Sequence, residues 1–469
     1  MGKPGVYTQI VDGGLGILPP NANTVGVAGT AEGTTKEEVL LIGNPRDAED
    51  QLVAGSALEC VRDIFAVRNA PSVVKVVLAD MTGATAADAG TVTHTGTGNA
   101  TFETGGTPTS DRYFVIKITS MTAGGSGVGA GWYKISTDNG ESWSAEKNMP
   151  ESGVAIDLGN GATITFTNST TTPELVVGDT YAWKTTEAKP TTEKLLDALE
   201  ILDDEKDLAR AVVALDVDST FAASVSALLN TRNTANVYFP VLLQVERPDY
   251  DAEETASAWI ARINTEWESF YDERIGKTAF MGYLTDVKGQ SLIRNAVGIV
   301  AGLRASAKVC DSVAWVRKYP IDNCLKIFPK DITDAQLDAL LFFKFIAGKY
   351  WDGYGFRVYK TVTCANDASD FQRLEDLETM YKAVRLVTAA AIPWIESTAD
   401  PASEPAFKGD MERPLANMRD IDKEISDYSL TLLETDILAT GEVKVQLSIV
   451  PFGKRSQITL IFGFTRSVS

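Results

Sequence analysis

Two short runs of this 469-residue chain hold residues whose types and spacing could do chemistry. The first is Ala211-Val-Val-Ala-Leu-Asp-Val-Asp-Ser-Thr220, an apolar stretch closed by Asp216, Asp218 and Thr220. At the C-terminal end of a strand, where α/β folds place ligands, Asp216 could attack a phosphoryl group while Asp218 transfers the proton. Mg²⁺ would bridge carboxylate and phosphate. Thr285, after a strand expected at Ala279–Leu284, and Asp367 with Asp370, after one expected at Phe356–Thr363, could extend the set. Against this, no lysine is clearly placed for the phosphate, and Asp218-Ser-Thr serves equally well as a helix N-cap before Phe221. The second run is Ser136-Thr-Asp-Asn-Gly-Glu-Ser-Trp143, in which Asp138 and Gly140 close a hairpin turn and Ser142 and Trp143 fold back on it.

The Asp216 run resembles the signature of magnesium-dependent haloacid-dehalogenase-like phosphatases, and the second run the Asp box of sialidase propellers. A propeller needs regular copies and this motif occurs once, which leaves a glycan-binding surface as its functional reading. Both stand as alternatives to the reading reached below.

Other chemistry is removed by composition. The single histidine, His94, cannot supply a His-ligated metal site, and no nucleophile is set against it. Cys60, Cys310, Cys324 and Cys364 are scattered without a CxxC pair and read as buried small apolar residues. The glycine-rich run at 124–131 and Phe452-Gly-Lys-Arg-Ser lie between strands, without the helix a phosphate loop requires. No catalytic, cofactor-binding or metal residue is therefore expected, and no cofactor.

Lys and Arg number 43 against 63 Asp and Glu, a net charge of −20 that repels phosphate backbones and anionic lipids. Neither nucleic acid nor a membrane is an expected partner. Hydrophobic residues at 44% and charged residues at 23% describe a globular chain. The longest apolar stretch, Val384–Ile395, is too short to span a bilayer, and no secretory leader precedes it, so a soluble, intracellularly made protein is expected.

The elements behind these motifs follow from periodicity. A strand with alternating residues opens the chain at Val6–Val11, followed by a Gly/Pro/Asn linker. Strands are expected at Val25–Gly29, Val39–Gly43 and Val73–Leu78, with one helix over Arg46–Arg68. From 81 to 190 the chain is rich in Thr, Gly, Ser and Asn and carries short strands with turn signals, which predicts a β-sandwich-like insertion. From Thr191 helices and strands alternate, as in a mostly parallel three-layer core. Helices are expected at Thr191–Leu202, Thr220–Asn230, Asp251–Tyr271, Ser291–Ala305, Thr333–Ala347 and Phe371–Ile392. The intervening strands are Ala211–Leu215, Val237–Val245, Thr278–Leu284, Val313–Val316 and Phe356–Thr363, and the closing ones Tyr428–Leu433, Glu442–Val450 and Gln457–Phe464.

In this order the residues resemble the contractile tail sheath family of phage tails and related injection machines. Lys3-Pro-Gly-Val-Tyr-Thr-Gln-Ile is similar to the family's Pro-Gly-Val-Tyr opening. Gly355-Phe-Arg-Val-Tyr-Lys-Thr-Val-Thr363 resembles its strand reading roughly G-x-R-x-W/Y-x-x-R-T, matching at Gly355, Arg357 and Tyr359. Asp370–Val387 resembles the amphipathic helix that follows. Glu442–Gly453 resembles its closing strand, with Gly453 where a second proline would stand, and Ile458–Phe464 its terminal strand.

The resemblance implies an α/β (α+β) multi-domain sheath-like core with a mostly β inserted domain and extended terminal strand arms. The expected segments are an arm and linker (1–23), the first part of the core (24–80), the inserted domain (81–190), the core continuing into a tube-facing domain (191–427), and C-terminal strands (428–469). Arm residues Val6, Tyr7, Thr8, Gln9, Ile10 and Val11, with Ile458, Thr459, Leu460, Ile461 and Phe462, would join neighbouring copies. Val443, Val445, Leu447 and Ile449 would form the receiving strand, and Lys382 and Arg385 would face the tube. Implied partners are further copies in a helical homo-oligomer, an inner tail tube protein, a baseplate and a tail terminator. The implied location is a virion tail or phage-tail-like particle assembled in a bacterial host's cytoplasm.

Overall fold

The structure is a computed structural model that describes residues 24–33, 35–137, 140, 142–203, 208–233, 239–249, 254–285, 291–395, 397, 403–433 and 443–455. The chain divides into two compact units, one of Met1–Lys308 with Val313–Glu378, the other of Val309–Ser312 with Thr379–Ser469.

Among the described residues the first unit opens with β1 (Thr24–Gly29), β2 (Val39–Ile42), α1 (Pro45–Leu52), α2 (Ser56–Phe65) and β3 (Val74–Leu78). Short strands follow: β4 (Thr93–Thr95), β5 (Thr101–Gly106), β6 (Arg112–Met121), β7 (Gly131–Ser136), β8 (Lys147–Asn148), β9 (Ala155–Asp157), β10 (Ala162–Thr167) and β11 (Thr180–Thr185). Then come α3 (Thr192–Asp203), β12 (Leu208–Val217), α4 (Ser219–Asn233), β13 (Val241–Val245), α5 (Ala256–Trp267) and β14 (Ile275–Thr278). They are followed by β15 (Met281–Thr285), β16 (Ser291–Asn295), α6 (Val297–Ser306), β17 (Cys324–Phe328), α7 (Asp334–Phe342) and β18 (Phe345–Ile346). The hairpin of β19 (Gly348–Trp351) and β20 (Gly355–Val358) precedes α8 (Leu374–Ala391).

A seven-stranded sheet of order β18-β14-β13-β12-β1-β3-β2 organises this unit, parallel throughout except where β2 pairs antiparallel with β3. Its central strands are mostly apolar on both faces because helices cover both, with Lys75, Arg210, Gln244 and Lys277 as buried exceptions. Along β12, Val212 and Ala214 join one core with α2 and α6, while Ala211, Val213 and Leu215 join the other with α3, α4 and α5. The expected mixed α/β architecture is thus observed.

Strands β4 to β11 form two antiparallel sheets, β4-β11-β6-β7-β8 and β5-β10-β9. Alternation in β10 and β11 sends Ile164, Phe166, Tyr181 and Trp183 into one apolar cluster with Phe114 and Ile116 of β6.

In the second unit, α9 (Glu404–Asp420) is followed by the antiparallel pair β21 (Ile425–Leu433) and β22 (Lys444–Pro451). Met411, Leu415 and Met418 of α9, Ala383 and Val387 of α8, and Ile425 and Leu430 of β21 form its core.

Several elements differ from expectation. The Arg46–Arg68 helix is two helices, because Val53 (φ 63°) and Gly55 (φ 127°) leave helical space. A Cβ on Gly55 would stand 2.6 Å from the Thr30 carbonyl oxygen, so the break is held by a close backbone approach. The Thr278–Leu284 strand is two, β14 in the large sheet and β15 in the sheet β16-β15-β17. Ser291–Asn295 is a strand and not the start of a helix. Asn295 donates to the Thr278 carbonyl (2.7 Å) and accepts from the Val297 N–H (3.0 Å), starting α6 only there. The helix expected to reach Ala347 stops at Phe342, where Lys344 (φ 63°) turns the chain and Phe345–Ile346 adds to the sheet. Val313–Val316 is not a strand, and α9 was not foreseen.

Candidate assembly edge

The residues that suggested phosphatase chemistry are engaged structurally. The Asp216 side chain, 5% exposed, is held on two sides: Gln244 Nε2 donates to Oδ1 (2.6 Å) and Arg247 Nε to Oδ2 (2.9 Å). Burial raises the Asp216 pKa, but the charges of Arg247 and Lys189 and the bond from Gln244 outweigh it and hold the carboxyl below its usual range. Asp218 caps α4, accepting from the Phe221 N–H at 2.8 Å. Thr285 lies in β15 and shares a 2.9 Å hydrogen bond with Ser291. Asp367 is exposed and pairs with Lys344 at 2.7 Å, and Asp370 is exposed as well. These groups do not converge, and among the described residues no group of three or more His, Cys, Asp or Glu is placed to hold a metal ion.

Of the Ser136–Trp143 run, Asp138 lies outside the described residues, while Ser136, Gly140 and Ser142 are bonded. The Gly140 N–H donates to Ser136 Oγ (2.8 Å), and Ser142 Oγ meets the Tyr283 hydroxyl of β15 at 2.8 Å. His94 lies half-buried in β4 and stacks on Tyr181 with ring centroids 4.5 Å apart.

The geometry that can join copies lies in the second unit. β21 and β22 pair in register, Tyr428 with Ile449, Leu430 with Leu447 and Leu432 with Val445. Period-two alternation turns these six side chains onto the apolar cluster, and leaves Ser429, Thr431, Lys444, Gln446 and Ser448 exposed on the other face. Two strands make a marginal sheet, and among the described residues each has one open edge. An added strand would complete the backbone hydrogen bonding. Val445, Leu447 and Ile449 therefore sit in a strand with an open edge, whereas Val443 precedes that strand and is exposed. The arm residues Val6 to Val11 and Ile458 to Phe462 lie outside the described residues.

Lys382, assigned to the tube face from the sequence, is engaged by carboxylates of its own unit. Its side chain is only 3% exposed, with Nζ 2.6 Å from Glu424 Oε2 and 3.8 Å from Asp422 Oδ2, so its charge is neutralised within its own unit. Arg385, on the same helix, is half-buried.

Buried ion pairs escaped the sequence reading altogether. In the first unit Glu378 accepts from Arg210 Nε and Nη2, each at 3.1 Å, and from Arg304 Nη2, with all three side chains buried. Arg294 grips Asp63 at 2.5 and 2.9 Å. The partners are separated by 74 to 231 residues, beyond any local pattern.

This architecture is the fold of contractile sheath proteins. The chain superposes along its whole length on the PVC sheath complex of an extracellular contractile injection system in the contracted state (TM-score 0.56, 10% identity, 100% of this chain and 98% of that chain). It is similarly close to the helical sheath of the anti-feeding prophage in the contracted state (TM-score 0.53, 11% identity, all of both chains). A sheath tail protein from Desulfitobacterium hafniense follows (TM-score 0.50, 14% identity, 96% of this chain and 100% of that chain). The chain belongs to the DUF2586 family, matching its N-terminal domain over residues 3–355 and its C-terminal domain over residues 370–469. No curated protein matches it in sequence.

Proposed function

We propose that this chain is the structural subunit of a contractile sheath, polymerising helically around an inner tube and contracting to drive that tube through a target envelope. The observation that carries the reading is the likeness of the entire chain to sheath subunits of contractile injection systems. The open β21–β22 sheet gives it a physical mechanism. Arms at residues 6–11 and 458–462 of neighbouring copies add strands to that sheet, with β22 as the receiving edge. Main-chain hydrogen bonds supply strength, and alternate side chains supply register. Unlike surfaces meet, so the contact propagates as a helix and does not close.

In this reading residues 81–190 are a domain inserted between core segments 24–80 and 191–427, with joining strands from 428 onward. The partners are further copies, the inner tube, a baseplate and a tail terminator. The particle is a virion tail or a phage-tail-like machine assembled in the bacterial cytoplasm. The role is structural and not enzymatic, in keeping with the engagement of Asp216 by Arg247 and of Asp218 by the α4 N-terminus.

Deleting residues 1–12 tests the arms. The truncated chain should keep the circular dichroism spectrum of the full chain, yet form no striated hollow cylinders by negative-stain electron microscopy. Cylinders of unchanged abundance would overturn the arm mechanism.

A further inference from the structure

The two segments that lead into and out of the β4–β11 sheets run side by side as an antiparallel ribbon, bonded as bridges between Thr85 and Lys189 and between Asp88 and Thr186. Beyond this ribbon the sheets meet the rest of the first unit through polar contacts. Arg112 Nη2 lies 2.6 Å from Glu59 Oε1 on α2, and Arg247 Nη1 donates to the Asp111 carbonyl at 2.9 Å. A cleft lined by Glu59, Arg62, Ser110, Arg112, Asn160 and Arg294 opens along this junction. A seam of ion pairs and hydrogen bonds with an open cleft beside it, crossed by a two-stranded ribbon, has the construction of a hinge.

At its centre, one residue past the Asp88–Thr186 bridge, is Glu187. Its N–H donates to Asp111 Oδ1 at 2.7 Å, and its buried carboxylate accepts from Thr30 Oγ1, at the end of β1, at 3.0 Å. Among the described residues this is the one hydrogen bond its carboxylate receives. The charged groups around it are Asp111 before β6, Glu59 and Asp63 on α2, Arg247 after β13 and Arg294 on β16. The cations there are committed elsewhere: Arg247 to Asp216 and the Asp111 carbonyl, Arg294 to Asp63, and Arg112 of β6 to Glu59.

We propose that this junction is a proton-operated latch, closed onto the core while Glu187 carries a proton and loosened when it ionises. A neutral carboxyl fits a site rich in carboxylates, and its ionised form adds a buried negative charge beside Asp111 and Glu59. Burial and the Asp111 charge push its carboxyl up to about 8, well above the usual carboxylate range it regains in an opened, hydrated hinge. Closing therefore takes up a proton between roughly pH 4.5 and 8. The opening constant rises with pH across that window and levels off above it.

The test is amide hydrogen exchange of the ribbon segments 84–90 and 184–189 in the full-length chain and in Glu187→Gln, from pH 5 to 9. The ratio of the two proteins at each pH cancels the intrinsic exchange rate. That ratio should be lowest at pH 5, climb by up to about tenfold per pH unit, and flatten above pH 8. Thr30→Val removes the hydrogen bond that favours the ionised carboxylate, and should move the plateau to higher pH. If Glu187→Gln does not fold, the Thr30→Val shift carries the test alone. A flat ratio in a folded Glu187→Gln protein, or a plateau unmoved by Thr30→Val, overturns the latch. The measurement needs no assembly, so it is independent of the sheath reading.

Discussion

Glu378 is the acidic side chain whose removal should damage the first unit most. One carboxylate there serves two guanidiniums, with Arg210 and Glu378 side chains 4% exposed and Arg304 fully buried. Replacing Glu378 with Gln keeps the volume and withdraws the charge. Removing one partner of a buried ion pair costs about 3–5 kcal/mol, because the remaining charge stays desolvated. With two guanidiniums stranded, the upper half of that range is expected.

Urea titration should show the loss as a lower midpoint for the transition that reports the seven-stranded sheet, with little change in slope. The pH dependence supplies a second check. Burial raises the Glu378 pKa, but Arg210 and Arg304 outweigh it, so the folded value lies below the unfolded one. Its contribution is therefore complete above about pH 4.5 and is lost as pH falls through the folded value. The gap between wild type and Glu378→Gln should be constant at neutral pH and narrow only in acid. A triple exchange to apolar residues, Arg210→Met, Glu378→Leu and Arg304→Met, should be far milder than the single change. A loss below about 1 kcal/mol for Glu378→Gln, or a gap that widens in acid, would refute the reasoning.

Two further outcomes follow from the geometry. Asp216→Asn should lower stability by about 2–3 kcal/mol, by leaving Arg247 with the Asp111 carbonyl as its remaining strong acceptor. Neither that variant nor the wild type should release phosphate from p-nitrophenyl phosphate with magnesium, and magnesium-dependent turnover lost on Asp216→Asn would restore the enzyme reading. Gly55→Ala combines a positive φ with a contact of 2.6 Å to the Thr30 carbonyl oxygen, and should destabilise the first unit by at least about 2 kcal/mol in the same titration.

Much of the layer order was legible because it is written locally. The run Val73–Leu78, apolar but for Lys75, and the alternation of helical and strand periods after Thr191 announce a covered parallel sheet, since a strand buried on both faces has few polar positions. The alternation in Val445, Leu447 and Ile449 likewise marked a half-buried strand before any partner was known.

What stayed hidden depends on atoms far away in sequence. Periodicity runs smoothly from Arg46 to Arg68, and only the approach of Gly55 to the Thr30 carbonyl breaks the helix. Between Thr278 and Met281 the chain leaves one sheet for another, a change of hydrogen-bonding partner that side-chain pattern does not encode. Lys382 reads as a solvated cation on an amphipathic helix until Glu424 is found beside it, and Glu187 as an ordinary surface acid until α2 and Asp111 enclose it. Hydrophobic period is a property of neighbours along the chain. The burial and pairing of charge are properties of neighbours in space, and those only the tertiary structure could decide.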